Sequence, residues 1–473
     1  MTGVTYIPTQ TPDESTFTSD RVALRSPIRL LIQDALVLFE NLEYIPNVFL
    51  PNRTLKPLPG VDKSRIMSVR DTILTLNVLI LELTIMVIAV PASLYLRGWQ
   101  MCLFIAAVMM TIYLLELPMW GGLIVHSQIE LEDSNKFGKE RWHFINGIAT
   151  NYDGLQTTCD RLAATFRRRI IGVHNRSYGV IGDVLECMIQ RCFSYNTSDV
   201  RCTYEVLKLH ILDPSVDKVV VIAHSQGGII ISLALDRMFA EMPSRALSKL
   251  EIYTFGSAAS HFNNPLTHSS LTSLIHATST PQTLLPRPTH VIPTIEHYAN
   301  ELDLVPRWGV VNSARHCTAT RYAGRVFIAK GASGHLFNEH YLEPMFPLLT
   351  VSNKPDTSSP SDRGDYKKNK AGNNTPSAPE PDASISSAED QVGADAEGSP
   401  VLQPLLPHSD AGQPKLSPFL DRMVDVDHET ALRRAESVET QSALGEGAGK
   451  TVRQLSRLWM YVGGGEVNSR EGL

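Results

Sequence analysis

Cysteine is scarce and unpatterned: Cys102, Cys159, Cys187, Cys192, Cys202 and Cys317 form neither a CxxC pair nor the spacing of metal ligands. That excludes a zinc-stapled or disulfide-framed scaffold and predicts free thiols in a reducing compartment. Basic excess is missing as well. The formal net charge is −6, which argues against a nucleic-acid partner. Residues 1–26 lack the basic start and apolar run of a secretory signal, and they are expected to form a loose polar tail. His261, His268, His276 and His290 have no close ligand pairing, so neither a metal nor any other cofactor is expected. What the chain has is 43% apolar residues, enough for a sizeable core, in a length that allows about three domains.

Two long apolar runs follow one another between Thr72 and Val125, joined by Arg97-Gly98. Each is about the 20 residues needed to cross a hydrocarbon core, and together they predict a two-pass hairpin. Glu82 and Glu116 oppose that reading unless they are protonated or turned toward a partner helix, since a carboxylate at the bilayer centre costs about 2.5 to 3.5 kcal/mol. Arg53, Lys56, Lys63, Arg65 and Arg70 precede the hairpin, and Lys136, Lys139 and Arg141 follow it, whereas the turn carries Arg97 alone. By the charge bias of cytoplasmic flanks, both ends face the cytosol, with the endoplasmic reticulum as a fitting membrane. The sequons at Asn52, Asn175 and Asn196 are then chance matches. Upstream, Ile28, Leu31, Ile32, Ala35, Leu36, Leu38 and Phe39 recur at helical spacing, predicting one amphipathic helix that packs on the next segment or lies on a membrane.

The stretch from Lys218 to Met238 carries the chemistry. Val219, Val220, Val221 and Ile222 are apolar toward both faces, as in a central strand of a parallel sheet. Ala223-His224-Ser225-Gln226-Gly227 then reads as a nucleophile elbow, a turn so tight that only small residues fit two before and two after the nucleophile. Such a turn presents the Ser225 hydroxyl at the carboxyl end of the sheet, beside the Gln226 N–H and a helix N-terminus where an oxyanion could be held. Apolar β-rich runs at 141–148, 170–175, 250–257, 294–300 and 325–330 alternate with helical patterns, which predicts an α/β domain with a mostly parallel central sheet over residues 135–350.

Three further segments, in order, carry a resemblance. AHSQGG at 223–228 resembles GHSLGG, YTFGSAA at 253–259 resembles the strand that follows it, and HYANELDLVPRW at 297–308 resembles an Asn-x-x-Asp-x-Val-Pro segment. On these the domain resembles an α/β-hydrolase, its later part similar to the class 3 (fungal-type) lipases. The resemblance spans roughly 200 residues, the combined reach of its strands and helices. It implies Ser225 as nucleophile and Asp303 as the triad acid, with Glu301 the nearest substitute. For the base, His335 follows a strand and a Gly-Ala-Ser-Gly loop, where this fold places it; His340, inside the apparent helix beyond, is the alternate. The second oxyanion donor comes from the loop after the first strand, Asn146-Gly147-Ile148-Ala149, with the N–H of Ile148 or Ala149 giving the bond.

Four other regions complete the layout: residues 1–71 as tail and amphipathic helix, 72–125 as the hairpin, 351–414 as a Ser/Pro/Asp-rich disordered linker, and 415–473 as C-terminal amphipathic helices. In the last, Val452, Leu455, Leu458, Trp459 and Val462 share a face beside Arg453 and Arg457, a pattern that suits a membrane or a protein partner. The insertion from Ser260 to Pro293 is expected to be a surface loop or lid, with Leu271, Leu274 and Ile275 able to contact lipid. The expected function is a membrane-tethered serine hydrolase of lipid or other hydrophobic acyl esters. Acyl transfer on the same residues is the alternative within the enzymes, and a non-catalytic lipid-binding scaffold is the alternative outside them.

Overall fold

Strand β5 (Lys218–His224) is buried along its whole length. Its side chains alternate as a pleated strand requires. Val219, Val221 and Ala223 enter the apolar cluster on one face of the sheet, and Val220 and Ile222 enter the cluster on the other. The computed structural model describes residues 3–9, 26–49, 69–131, 136–268, 289–316, 322–348, 418–427, 430, 447 and 449–467.

Among the described residues the sheet around β5 contains nine strands, in the order β2-β4-β3-β5-β6-β7-β8-β1-β9. The strands β3 (Glu140–Ile145), β4 (Ile170–Val173), β6 (Leu250–Phe255), β7 (Thr294–Asn300) and β8 (Arg325–Ala329) occupy the six apolar runs legible in the sequence, together with β5. These six are mutually parallel. β2 (Ile124–His126) closes one edge antiparallel to β4. The chain is therefore a mixed α/β sheet with flanking helices: α5 (Tyr152–Phe166) on one face, α7 (Ser198–Leu212) and α8 (Gln226–Glu241) on the other. Two shorter helical stretches matter below, α1 (Pro27–Glu40), followed by α2 (Ile45–Phe49), and α6 (Val180–Phe193).

The other sheet edge differs from expectation. Val4–Ile7, read as part of a loose tail, form strand β1, which pairs antiparallel with β8. All four residues are buried, and Tyr6 packs on Phe327, so an apolar tetrapeptide inside a polar segment is enough to add a strand. Val424–Val426 form β9, parallel to β1. The expected amphipathic helix over 451–462 is also absent. Instead a short helix (Val452–Leu455) and a 3₁₀ turn thread across the sheet, with Val452, Leu455, Leu458 and Tyr461 buried in the core cluster. Arg457 points inward rather than to a lipid surface: its Nε and Nη2 donate to Glu251 Oε1 at 3.0 and 2.9 Å. Its backbone N–H donates to Glu296 at 2.8 Å. The linker expected over 351–414, much of the amphipathic region expected over 415–473, and Leu271, Leu274 and Ile275 of the expected surface loop lie outside the described residues.

The hairpin helices are α3 (Val69–Tyr95) and α4 (Gly98–Trp120), within which Leu76–Tyr95 and Gly98–Pro118 are long and apolar enough to span a membrane. Glu82 and Glu116 are both buried, turned toward the rest of the protein. Cys102, Cys159, Cys187, Cys192 and Cys202 are free thiols.

The C-terminal threads make the α/β unit depend on residues far from 135–350. Arg457→Ala removes two donors from the buried Glu251 carboxylate, which keeps Lys218 at 3.8 Å and the Tyr253 and Tyr461 hydroxyls at 2.9 and 2.7 Å; it should lower stability by about 1 to 3 kcal/mol in chemical denaturation of the full chain. A 135–350 fragment, lacking β1, β9 and the 452–467 thread, should show no cooperative transition. A sharp, reversible transition in that fragment would contradict this dependence.

Candidate active site

In a parallel sheet every strand delivers its carboxyl end to one edge, and ligands collect where the strand order reverses. Here the reversal falls between β3 and β5, because β4 lies on the far side of β3 while β6, β7 and β8 continue beyond β5. Ser225 and Gly147 meet at that crevice. A Cβ on Gly147 would stand 2.5 Å from Ser225 Cβ and 3.0 Å from its Oγ. Gly227 is equally constrained, since a Cβ there would strike the Ile145 carbonyl oxygen.

Ser225 has φ 57° and ψ −121°, a conformation that costs a non-glycine residue roughly 1 to 3 kcal/mol. The turn is held by the Ser225 N–H, which donates to Phe255 O at 3.1 Å, and by the Ser225 carbonyl, which accepts from Gly228 at 3.0 Å and Ala258 at 3.1 Å. The helix α8 begins at the next residue, so its first N–H groups converge on the space beside the Ser225 side chain.

Asp303 and His335 come together across 32 residues of sequence. Asp303 ends the β7 loop, fully buried, and its Oδ2 lies 2.7 Å from His335 Nδ1. The carboxylate is otherwise satisfied by the Val305 N–H at 3.0 Å and the Tyr341 hydroxyl at 2.6 Å. With Nδ1 committed, the buried Nε2 of His335 has no hydrogen-bond partner among the described residues. The ring packs on His224, the residue before Ser225, at 4.6 Å between centroids, and against Gly256, the residue after the carbonyl that holds Ser225. His340 sits elsewhere. Its Nδ1 accepts from the Leu336 N–H at 2.9 Å and its ring fills the space behind Gly334, so it shapes the loop that carries His335. Glu301 faces outward and accepts from the Gly331 N–H at 2.7 Å.

The loop after β3 divides its two expected donors. The Ala149 N–H is already given to Asp183 Oδ2 at 3.1 Å, which removes it as an oxyanion donor and leaves Ile148 of the pair. Asp183 also accepts from the Ser177 hydroxyl at 2.7 Å and the Tyr178 N–H at 2.8 Å. Burial pushes its carboxyl up to about 7, against the pull of those three donors. Asn146 braces the same loop: its Oδ1 accepts from Asn175 N at 2.8 Å and its Nδ2 donates to Asn175 O at 2.9 Å. Asn175 is thereby buried.

The hairpin touches this loop region directly. Glu82 of α3 accepts from the Ile181 N–H at 3.2 Å, at the start of α6, and Trp120 of α4 donates its indole N–H to Ser177 O at 2.8 Å. A carboxylate suits the positive end of a helix.

Several of these residues escaped the sequence reading. Asp183, Tyr341 and the pairing of Glu82 with α6 leave no local trace, because each acts on a partner distant in the chain. Asn300 did leave one, standing first in Asn-x-x-Asp; its Nδ2 donates to Gly334 O at 3.1 Å and His340 O at 3.2 Å, clamping the His335 loop to β7. His224 is held neutral, its pKa depressed well below the usual range by burial and by His335, and its Nε2 donates to His335 O at 2.8 Å.

No family model and no curated protein matches the chain. Among solved structures it is similar to Aspergillus fumigatus lipase B over 43% of this chain and 45% of that one, at 13% identity and a TM-score of 0.25. It is similar to the naproxen esterase (carboxylesterase NP) of Bacillus subtilis over 49% and 92%, at 13% identity and 0.23. A Pyrobaculum calidifontis esterase aligns over 52% and 87%, at 12% identity and 0.25. The chain thus matches less than half the length of the first. Likenesses this slight carry no weight, and the chemistry is argued from the side chains.

Asp183 sets a pH dependence. An unfolded carboxyl ionises near 3.8 and the folded one near 7, so between those values the folded state holds the extra proton. Its stabilising contribution is complete below about pH 4 and is lost as pH rises through about 7. Across that window the wild-type melting temperature should fall relative to Asp183→Asn. Parallel pH profiles would show that the carboxyl ionises as freely folded as unfolded.

Proposed function

We propose that the chain is a serine hydrolase of acyl esters with an α/β-hydrolase fold, tethered to a membrane by α3 and α4. One observation carries the reading: a buried Asp303–His335 pair leaves His335 Nε2 unpartnered, against the residues that form the strained turn at Ser225. A turn held in that conformation beside an imidazole is costly, and catalysis is the use that explains it.

In the proposed reaction Ser225 Oγ attacks the ester carbonyl while His335 Nε2 takes its proton. Asp303 fixes the tautomer with Nδ1–H and stabilises the imidazolium. The N–H groups of Gln226 and Ile148 receive the oxyanion. His335 then gives its proton to the departing alcohol, and water resolves the acyl-enzyme by the same steps in reverse. The three segments resembling class 3 lipases agree with these roles, and the membrane anchor favours lipid esters as substrates.

The hairpin reading has support apart from its apolarity. β1 precedes the hairpin, β3 to β8 follow it, and β1 pairs with β8, so the chain must leave and re-enter the membrane on one side. The basic residues flanking the hairpin favour the cytosolic side.

Turnover of a short soluble acyl ester by the full chain tests the roles. Ser225→Ala and His335→Ala should each lower kcat by roughly four orders of magnitude while the fold persists. His340→Ala should keep measurable turnover and lose about 1 to 3 kcal/mol of stability, since the Leu336 N–H loses its acceptor. Full activity in His335→Ala, or melting without loss of turnover in Ser225→Ala, would refute the assignment.

A further inference from the structure

The carboxyl edge of the sheet is roofed by two helices whose outer faces are apolar. α6 lies over the elbow: Gln226 Nε2 donates to Glu186 at 3.1 Å and Gln190 at 3.2 Å. Its far end reaches the loops after β6 and β7, where Arg191 donates to Ala258 O and Trp308 O. α1 is bolted alongside by a paired contact of Asp34 with Arg191, at 2.8 and 2.9 Å. The segment after α1 meets the loop that carries Asp303, through Arg307 Nε to Asn41 Oδ1 at 2.7 Å and Asn47 to Leu302 O at 3.3 Å.

α1 is apolar on two sides. Val37 and Leu38 pack on the core, while Ile28, Ile32, Leu36 and Phe39 face outward, Phe39 at 71% exposure. α6 presents a matching stripe of Leu185, Ile189 and Phe193 at four-residue spacing, continued by Tyr195. A soluble surface helix carries one apolar stripe, and contiguous exposed patches of this kind mark an interaction face.

The hairpin supplies the occupant. α6 touches α1 on one side and α3 on the other, so both stripes continue into the exposed apolar surface of α3 and α4. Helix length makes the same point. Glu82 is fixed to the start of α6, and Leu83–Tyr95, about 13 residues or about 20 Å of helix, lies beyond that contact along α3. A hydrocarbon core is about 30 Å thick. The remainder is made up when the roof itself enters the leaflet.

We propose that α1 and α6 seat the domain in the bilayer that receives the hairpin, with Ile28, Ile32, Leu36, Phe39, Leu185, Ile189 and Phe193 among the acyl chains. The carboxyl edge of the sheet then faces the leaflet, and hydrophobic esters reach Ser225 from the lipid phase. Among the described residues of α1 and α6, Arg29 is the one exposed basic side chain and Arg191 is buried, so a zwitterionic lipid suffices. The inference rests on the membrane reading of α3 and α4, and its lipid contact needs no catalysis.

The full chain is reconstituted in phosphatidylcholine vesicles doped with phosphatidylcholine bearing a diazirine on its acyl chain, then irradiated and mapped by mass spectrometry. Adducts are expected on 83–110 and on the named residues of α1 and α6. Leu209 and Leu212, exposed but at the other end of the sheet where α7 leads into β5, should stay unlabelled. Adducts on 83–110 with none on α1 and α6 overturn the seating and leave the hairpin standing; no adducts on either overturn both. Capture of a second copy instead of lipid by a benzophenone at position 32 also overturns it. The combined substitutions Ile32→Ser, Phe39→Ser, Ile189→Ser and Phe193→Ser should reduce turnover of a vesicle-borne ester several-fold and leave that of a soluble short ester unchanged. An equal effect on both contradicts entry from the leaflet.

Discussion

The close approach of β3 and β5 at their carboxyl ends is the constraint on which the other site features depend. Ser225 can turn back on itself only because Gly147 and Gly227 lack a Cβ, which would strike the Ser225 side chain and the Ile145 carbonyl. Phe255 and Ala258 then hold the turn from the next strand, so β6 is built into the same device. Substituting any of these glycines would force either the strands apart or the turn open.

Two carboxylates near the crevice are treated oppositely by their surroundings. Asp303 is placed against an imidazole nitrogen and two further donors, which fix its position. Asp183 accepts from neutral donors, burial pushes its carboxyl up to about 7, and it holds the Ala149 N–H. The first fixes the His335 ring and the second fixes the opposing loop. The hairpin reaches the second through α6, which ties the placement of α3 to the geometry of that loop.

What could be read from the chain beforehand was what local pattern encodes. The six parallel strands are short β-branched or aromatic runs bounded by turn residues, and the elbow is a contiguous pentapeptide. Strands β1 and β9 were illegible because four and three residues carry too little periodicity, and their pairing is set by partners hundreds of residues away. Arg457 looked like a charge beside an apolar face, because its partner Glu251 stands 206 residues earlier. The same holds for α1: its apolar residues were legible, but their division between a core side and an outer side needed Asp34 to find Arg191. Residues 335 and 340 differed only by position in a loop or helix, and the carboxylate at 303 is what distinguishes them.

If Ser225 is an activated nucleophile rather than a turn residue, a fluorophosphonate will react with it. Incubation of the folded full chain, followed by mass spectrometry of its peptides, should give one phosphonate adduct on Ser225, lost when the protein is unfolded first. Absence of that adduct from folded protein, or labelling of Ser225 that survives unfolding, would contradict the account.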